Sequence, residues 1–118
     1  MILAAVDDLL FSSKIRNTAK LSGVELTFAR TPDEVLAQAR ALKPSLVIFD
    51  LNSAKADPIH TLASLRQDPE LASIPTIGFV SHVDASTIQA ARQAGCGEIL
   101  ARSAFAANLV DILTKAGS

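Results

Sequence analysis

Several polar side chains stand where apolar runs stop, and their types suit one chemistry. Asp7 and Asp8 follow the run Ile2 to Val6, and Asp50 follows Leu46-Val47-Ile48-Phe49. Ser81 follows Ile74 to Val80, and Arg102 follows Gly97 to Ala101. A lone Asp or Ser at such a place is ordinary turn chemistry. Carboxylates brought together repel and raise one another's pKa, so a cluster of Asp7, Asp8 and Asp50 calls for a cation. Hard oxygen ligands with a loop carbonyl suit Mg²⁺, which often bridges to phosphate. Ser81 offers a hydroxyl to a phosphoryl oxygen, and Arg102 a cation with bidentate reach to oxyanions. A carboxylate nucleophile, a metal, a hydroxyl and a cation together make a phosphoryl-transfer site.

Bringing these groups together requires a particular fold. Ile2 to Val6, Val24 to Ala29, Leu46 to Phe49, Ile74 to Val80 and Gly97 to Ala101 read as strands, the first as a run buried on both faces and the third as the most strand-like of all. Helices are predicted over Leu9 to Leu21, from Thr31 until Pro44, over Pro58 to Arg66, Asp84 to Ala94 and Ala104 to Lys115. Leu10, Ile15 and Ala19 recur at helical spacing in the first, and Gly23 stops it. Thr31-Pro32-Asp33-Glu34 has the spacing of a capping box with Pro in the first turn. Val35, Leu36, Ala39 and Leu42 form the second stripe, Ile59, Leu62 and Leu65 the third, and Phe105, Leu109, Ile112 and Leu113 the last. Five strands alternating with five helices give an α/β protein with a doubly wound five-stranded parallel sheet. The expected strand order is the flavodoxin-like 2-1-3-4-5. Ligands of such sheets bind beyond the carboxyl ends of the strands where strands 1 and 3 lie side by side, so Asp7, Asp8 and Asp50 should converge there.

Composition narrows the alternatives. The 118 residues, 49% apolar and 19% charged, suit one domain spanning 1–118 and exclude disorder as the main state. Eleven Lys and Arg against twelve Asp and Glu leave a net charge of −1, which argues against a broad nucleic-acid footprint. With five Phe but neither Tyr nor Trp, base-stacking platforms are poorly supplied. Cys96, alone, forms neither an internal disulfide nor a thiolate zinc cluster, and reads as a small buried apolar side chain. No apolar run reaches the roughly 18 residues of a membrane helix, and no signal peptide is visible at the N-terminus. A cytoplasmic protein without membrane attachment is expected.

The order Val6-Asp7-Asp8, Pro44-Ser45-Leu46-Val47-Ile48-Phe49-Asp50, Ser81 and Gly95-Cys96-Gly97-Glu98 resembles the response regulator receiver family of two-component signalling over essentially the whole chain. The resemblance implies that Asp50 is the phosphoacceptor, charged by a histidine kinase, a phosphotransfer protein or a small phosphodonor. It implies that Asp8 ligates Mg²⁺ directly, Asp7 directly or through water, and Asn52 through its backbone carbonyl, with Asp50 completing the site. Ser81 would move toward the phosphoryl group. The face of helix 4, strand 5 and helix 5 would then bind a separate effector or a second copy, with Thr87, Ile88, Arg92 and Asn108 as contacts. Such a protein is no enzyme beyond self-phosphorylation and autodephosphorylation.

The sequence departs from the family pattern in places. Arg102-Ser103 stands for a Lys-Pro pair, and the guanidinium is bulkier and planar. Ile99 stands for the aromatic switch residue of strand 5. The loop from Asn52 to Pro58 has no Gly, and His82 follows Ser81 where a small residue is usual. The leading expectation is an atypical stand-alone receiver phosphorylated on Asp50. A phosphorylation-independent interaction module is the alternative. A flavin or nucleotide binder, or a small Mg²⁺-dependent phosphatase, fits less well, because the loops after strands 1 and 3 are acidic rather than Gly-rich.

Overall fold

The computed structural model describes residues 1–81 and 84–117. The chain runs β1 (Ile2–Ala5), α1 (Leu9–Leu21), β2 (Leu26–Phe28), α2 (Pro32–Leu42), β3 (Leu46–Asp50), α3 (Pro58–Gln67), β4 (Thr76–Val80), α4 (Ala85–Gln93), β5 (Glu98–Ala101), α5 (Arg102–Ala107) and α6 (Leu109–Gly117). The strands form one parallel sheet in the order β2-β1-β3-β4-β5, as the alternating pattern predicts. The described residues hold six helices rather than five, because the last predicted helix is interrupted. At the interruption the Asn108 N–H lies within reach of both Ala104 O (3.1 Å) and Phe105 O (3.2 Å). Its side-chain Nδ2 also donates to Ala104 O at 2.8 Å. An Asn side chain that competes for helix carbonyls unsettles a helix from within.

Period-2 alternation divides the core between the two faces of the sheet. Leu3, Ala5, Val47, Phe49 and Leu51 pack with Val35 and Ala39 of α2, Leu62 and Leu65 of α3 and Ala91 of α4. Ile2, Ala4, Leu46, Ile48 and Phe79 pack on the other face with Phe11, Ile15 and Ala19 of α1, Phe105 of α5 and Leu109 and Leu113 of α6. All residues of β1 and β3 are buried, as continuous apolar runs in a parallel sheet require.

Local signals set most boundaries. Thr31 Oγ1 accepts the Glu34 N–H at 3.2 Å, while the Glu34 carboxylate reaches back to the Arg30 N–H at 2.9 Å rather than to Thr31 itself. Lys43, in the left-handed region at φ 47°, ends α2 ahead of Pro44. The glycine-free loop between β3 and α3 makes its left-handed turn at Asp57, φ 39°. Gly95, at φ 98°, closes α4, and an added Cβ there would stand 2.6 Å from Arg66 Cγ. That arginine donates to Gly95 O (2.8 Å), Ile74 O (3.0 Å), Thr76 Oγ1 (2.9 Å) and Ala72 O, fixing the entry to β4.

Two expectations about the stripes need correction. Leu10 is 85% exposed, since the buried face of α1 runs through Phe11, Ser12, Ile15 and Ala19. Leu42, at the end of α2, is 41% exposed, where the stripe has turned away from the sheet. Cys96 is half-buried against the core, with Sγ near Glu98 O at 3.3 Å, and burial is the main cause pushing its thiol pKa up. That is an unreactive setting for a thiol.

Candidate functional site

Alternation along β3 decides which way its last residue faces. Val47, Phe49 and Leu51 belong to the face covered by α2, α3 and α4, so Asp50 takes the other parity, shared with Ile48. That parity turns Asp50 to the side of α1 and α5, whose first turns lie at the same end of the sheet. Asp50 is 7% exposed, and its Oδ1 accepts the Asn52 N–H at 3.0 Å. Burial raises its pKa, and the charges of Asp7 and Asp8 push the same way. The Asn52 N–H and the Arg102 charge pull against them.

Asp8 serves both the helix and the site. It is the N-cap of α1, and its Oδ1 accepts the Phe11 N–H at 3.1 Å. Its Oδ2 accepts from Arg102 Nη2 at 3.1 Å. The Phe11 N–H foremost, with help from Arg102, holds the Asp8 carboxyl below its ordinary range despite some desolvation. Asp7, the preceding residue, is half-buried. Among the described residues, no three carboxylate, imidazole or thiolate side chains stand together in an arrangement that holds a metal ion. In this arrangement Asp8 is engaged by the guanidinium.

Arg102 opens α5 and touches three of the groups around the site. Besides Asp8, its Nη1 donates to Ser81 Oγ at 3.4 Å, and its Cζ lies 4.4 Å from the Phe11 ring centroid. Phe11 meets Phe79 edge-on at 5.0 Å and Phe105 at 5.9 Å, and Phe79 stacks on Phe105 at 4.9 Å. Phe79 is the ladder partner of Asp50. The acidic site therefore sits on an aromatic floor that joins β4, α1 and α5.

One contact of the site is absent from the sequence reading. The Asn52 side-chain Oδ1 accepts the Ser81 N–H at 2.7 Å, tying the loop after β3 to the end of β4. The sequence assigns Asn52 only a backbone carbonyl, because nothing local reveals a partner 29 residues away. Gly78 is a second such residue. It lies in β4 against the Leu51 side chain, which follows Asp50 directly.

The remaining expected positions are more dispersed. Arg92 and Asn108 are exposed, Thr87 Oγ1 donates to Asp84 Oδ2 at 2.8 Å, and Ile88 and Ile99 are half-buried against the core. His82 lies outside the described residues. A cleft of about 620 Å³ opens at the opposite end of the sheet, between α6 and the starts of β3, β4 and β5. Asp7, Asp8, Asp50, Ser81 and Arg102 take no part in lining it.

Carboxylates at the ends of β1 and β3, in a doubly wound sheet with a hydroxyl and a cation at the ends of its neighbours, describe a signalling receiver. The pattern of the response regulator receiver domain matches residues 2–114, and the chain belongs to that family. It is similar to the polar-differentiation response regulator DivK of Brucella anthropi, 26% identical over 95 residues that cover 80% of this chain and 77% of the relative. In structure it resembles a response regulator from Hahella chejuensis, with TM-score 0.85, 17% identity and coverage of 98% and 92% of the two chains. It also resembles the chemotaxis response regulator CheY4 of Vibrio cholerae, with TM-score 0.82, 18% identity and coverage of 98% and 96%.

Proposed function

We propose that this receiver accepts a phosphoryl group on Asp50 and signals by protein–protein interaction. The observation that carries the reading is the burial of Asp50 at the end of the central strand, with Arg102 and Ser81 paired beside it. In the transfer, an Asp50 carboxylate oxygen forms the new bond to phosphorus. The bond from phosphorus to the leaving group breaks, and the leaving group keeps the electron pair. The donor is the phosphohistidine of a histidine kinase or phosphotransfer protein, or a small acyl phosphate. A carboxylate that is poorly solvated when charged is the better nucleophile. Ser81 and Arg102 supply a hydroxyl and a guanidinium to the phosphoryl oxygens.

Asp7, Asp8, Asp50 and the Asn52 backbone carbonyl would supply only oxygen donors, a chemistry that suits Mg²⁺, once Asp8 is freed from Arg102. When bound there, the ion neutralises the acidic charge that otherwise repels phosphate. Activity is confined to self-phosphorylation and autodephosphorylation. The output partner is an effector protein or a second copy, docking on the face of α4, β5 and the two last helices, where Arg92 is exposed. The near-neutral charge favours a protein partner over nucleic acid, and the setting is cytoplasmic.

The test is intact mass after incubation with acetyl phosphate and Mg²⁺. A single phosphoryl adduct, lost in Asp50→Asn, is the expected result; no adduct on the wild-type chain refutes the reading. The engagement of Arg102 with Asp8 favours a second reading, an interaction module that needs no phosphate. In that case Asp50→Asn and beryllofluoride leave partner binding unchanged.

A further inference from the structure

We propose that Arg102 is the resident counter-ion of the acidic site and competes directly with a divalent cation for Asp8. The inference rests on the receiver reading for its metal, but its evidence is the bonding of Asp8 itself. Both oxygens of that carboxylate are in use. Oδ1 holds the first turn of α1 through the Phe11 N–H at 3.1 Å, and Oδ2 holds Arg102 at 3.1 Å. Oδ1 is committed to the helix cap, so Oδ2 is the oxygen a cation takes without disturbing α1, and the guanidinium already stands there.

Arg102 is held by more than charge. The Asp8–Arg102 pair is about one-third exposed on each side (37% and 35%), so by itself it is screened and weak. The flat guanidinium also lies over the Phe11 ring at 4.4 Å, and Ser81 Oγ accepts from its other terminal nitrogen. A Lys ammonium is a point charge and lacks the planar surface for this stack. Arg102 therefore sets the cation affinity of the site, and a metal that enters releases the guanidinium toward the position where Ser81 stands.

The experiment is Mn²⁺ titration, read by the free-ion electron paramagnetic resonance signal, on the wild-type chain, Arg102→Ala and Arg102→Lys. Arg102→Ala is expected to bind Mn²⁺ roughly two- to tenfold more tightly, the range set by a screened ion pair plus a cation–π contact. Arg102→Lys, which keeps the charge but loses the stack, falls between. In parallel, the Arg102 side-chain Nε–H resonance of the wild-type chain should shift as Mg²⁺ saturates the site. Unchanged or weaker Mn²⁺ binding in Arg102→Ala overturns the proposal, as does an Arg102 resonance that Mg²⁺ leaves in place. A chain that is phosphorylated while Arg102→Ala gains no affinity loses this inference alone. A chain that exchanges Arg102 for metal yet never takes phosphate loses the receiver reading alone.

Discussion

Replacing Gly78 by Ala tests how tightly the sheet interior supports the strand end that carries Asp50. A methyl at position 78 would stand 2.7 Å from Leu51 Cδ1, 2.8 Å from Cγ and 3.0 Å from Cδ2. Carbon pairs rest at about 3.5–4.0 Å, so the leucine must withdraw by most of an ångström. It has little room, being 5% exposed within the cluster of Val47, Phe49, Leu62 and Leu65. Overpacking of this kind costs about 1–3 kcal/mol. Removing a glycine from a strand interior returns about 0.5–1 kcal/mol. The net loss then lies between about 0 and about 2.5 kcal/mol. With about 2.1 cal/mol/K of unfolding entropy per residue, the 118 residues give a fall in Tm of at most about 10 °C. Leu51→Ala alone should cost about 2–5 kcal/mol by opening a cavity. In the double variant the methyl added at position 78 enters that cavity, so the combined loss should fall at least about 1 kcal/mol short of the sum. Urea and thermal unfolding of the four proteins measure the cycle. Additive losses refute the contact.

Asp50→Asn should raise stability at neutral pH. The folded-state pKa of Asp50 is raised, chiefly by burial, so the stability it contributes is present below its unfolded pKa and is lost as pH rises through the folded one. Denaturant melts across that acidic range should show the step in the wild-type chain and its absence in Asp50→Asn. Phe105→Ala should cost about 3–5 kcal/mol, because the ring is fully buried against Phe79 and Phe11; a loss under about 1 kcal/mol in urea would contradict the packing. Arg66→Met should cost about 1.5–3 kcal/mol, since it strips charged donors from Gly95 O, Ile74 O and Thr76 Oγ1. Faster amide exchange at the start of β4 would locate the damage.

Sequence patterns reveal the fold where the physics is local. The limits of α1 match the expected Leu9 to Leu21, and Thr31 caps α2 through the Glu34 N–H. The buried strands announce themselves as continuous apolar runs, and the alternation of elements dictates their order. Helical spacing alone does not choose between neighbouring apolar residues, so it puts Leu10 in a stripe that in fact begins at Phe11. The interruption at Asn108 depends on one side chain competing for Ala104 O, a contest that an apolar pattern does not display. At the site, residue types and strand ends are legible one by one. Their pairings are not, because Arg102 meets Asp8 across 94 residues and Asn52 meets Ser81 across 29. Those distances are closed by the sheet, and the choice of partner follows from side-chain reach within it.

The aromatic floor also makes the site optically self-reporting. The chain has five Phe and no Tyr or Trp, so its near-ultraviolet dichroism arises from phenylalanine rings without stronger chromophores above them. Phe11, Phe79 and Phe105 lie in mutual contact beneath Arg102, and signals of this kind exist only while rings are held in fixed, asymmetric packing. Any event that lifts the guanidinium from Phe11 alters the surroundings of a coupled set that holds most of the molecule's aromatic rings. On the proposed exchange, occupancy of the acidic site would be readable in the protein's own spectrum, with no label attached.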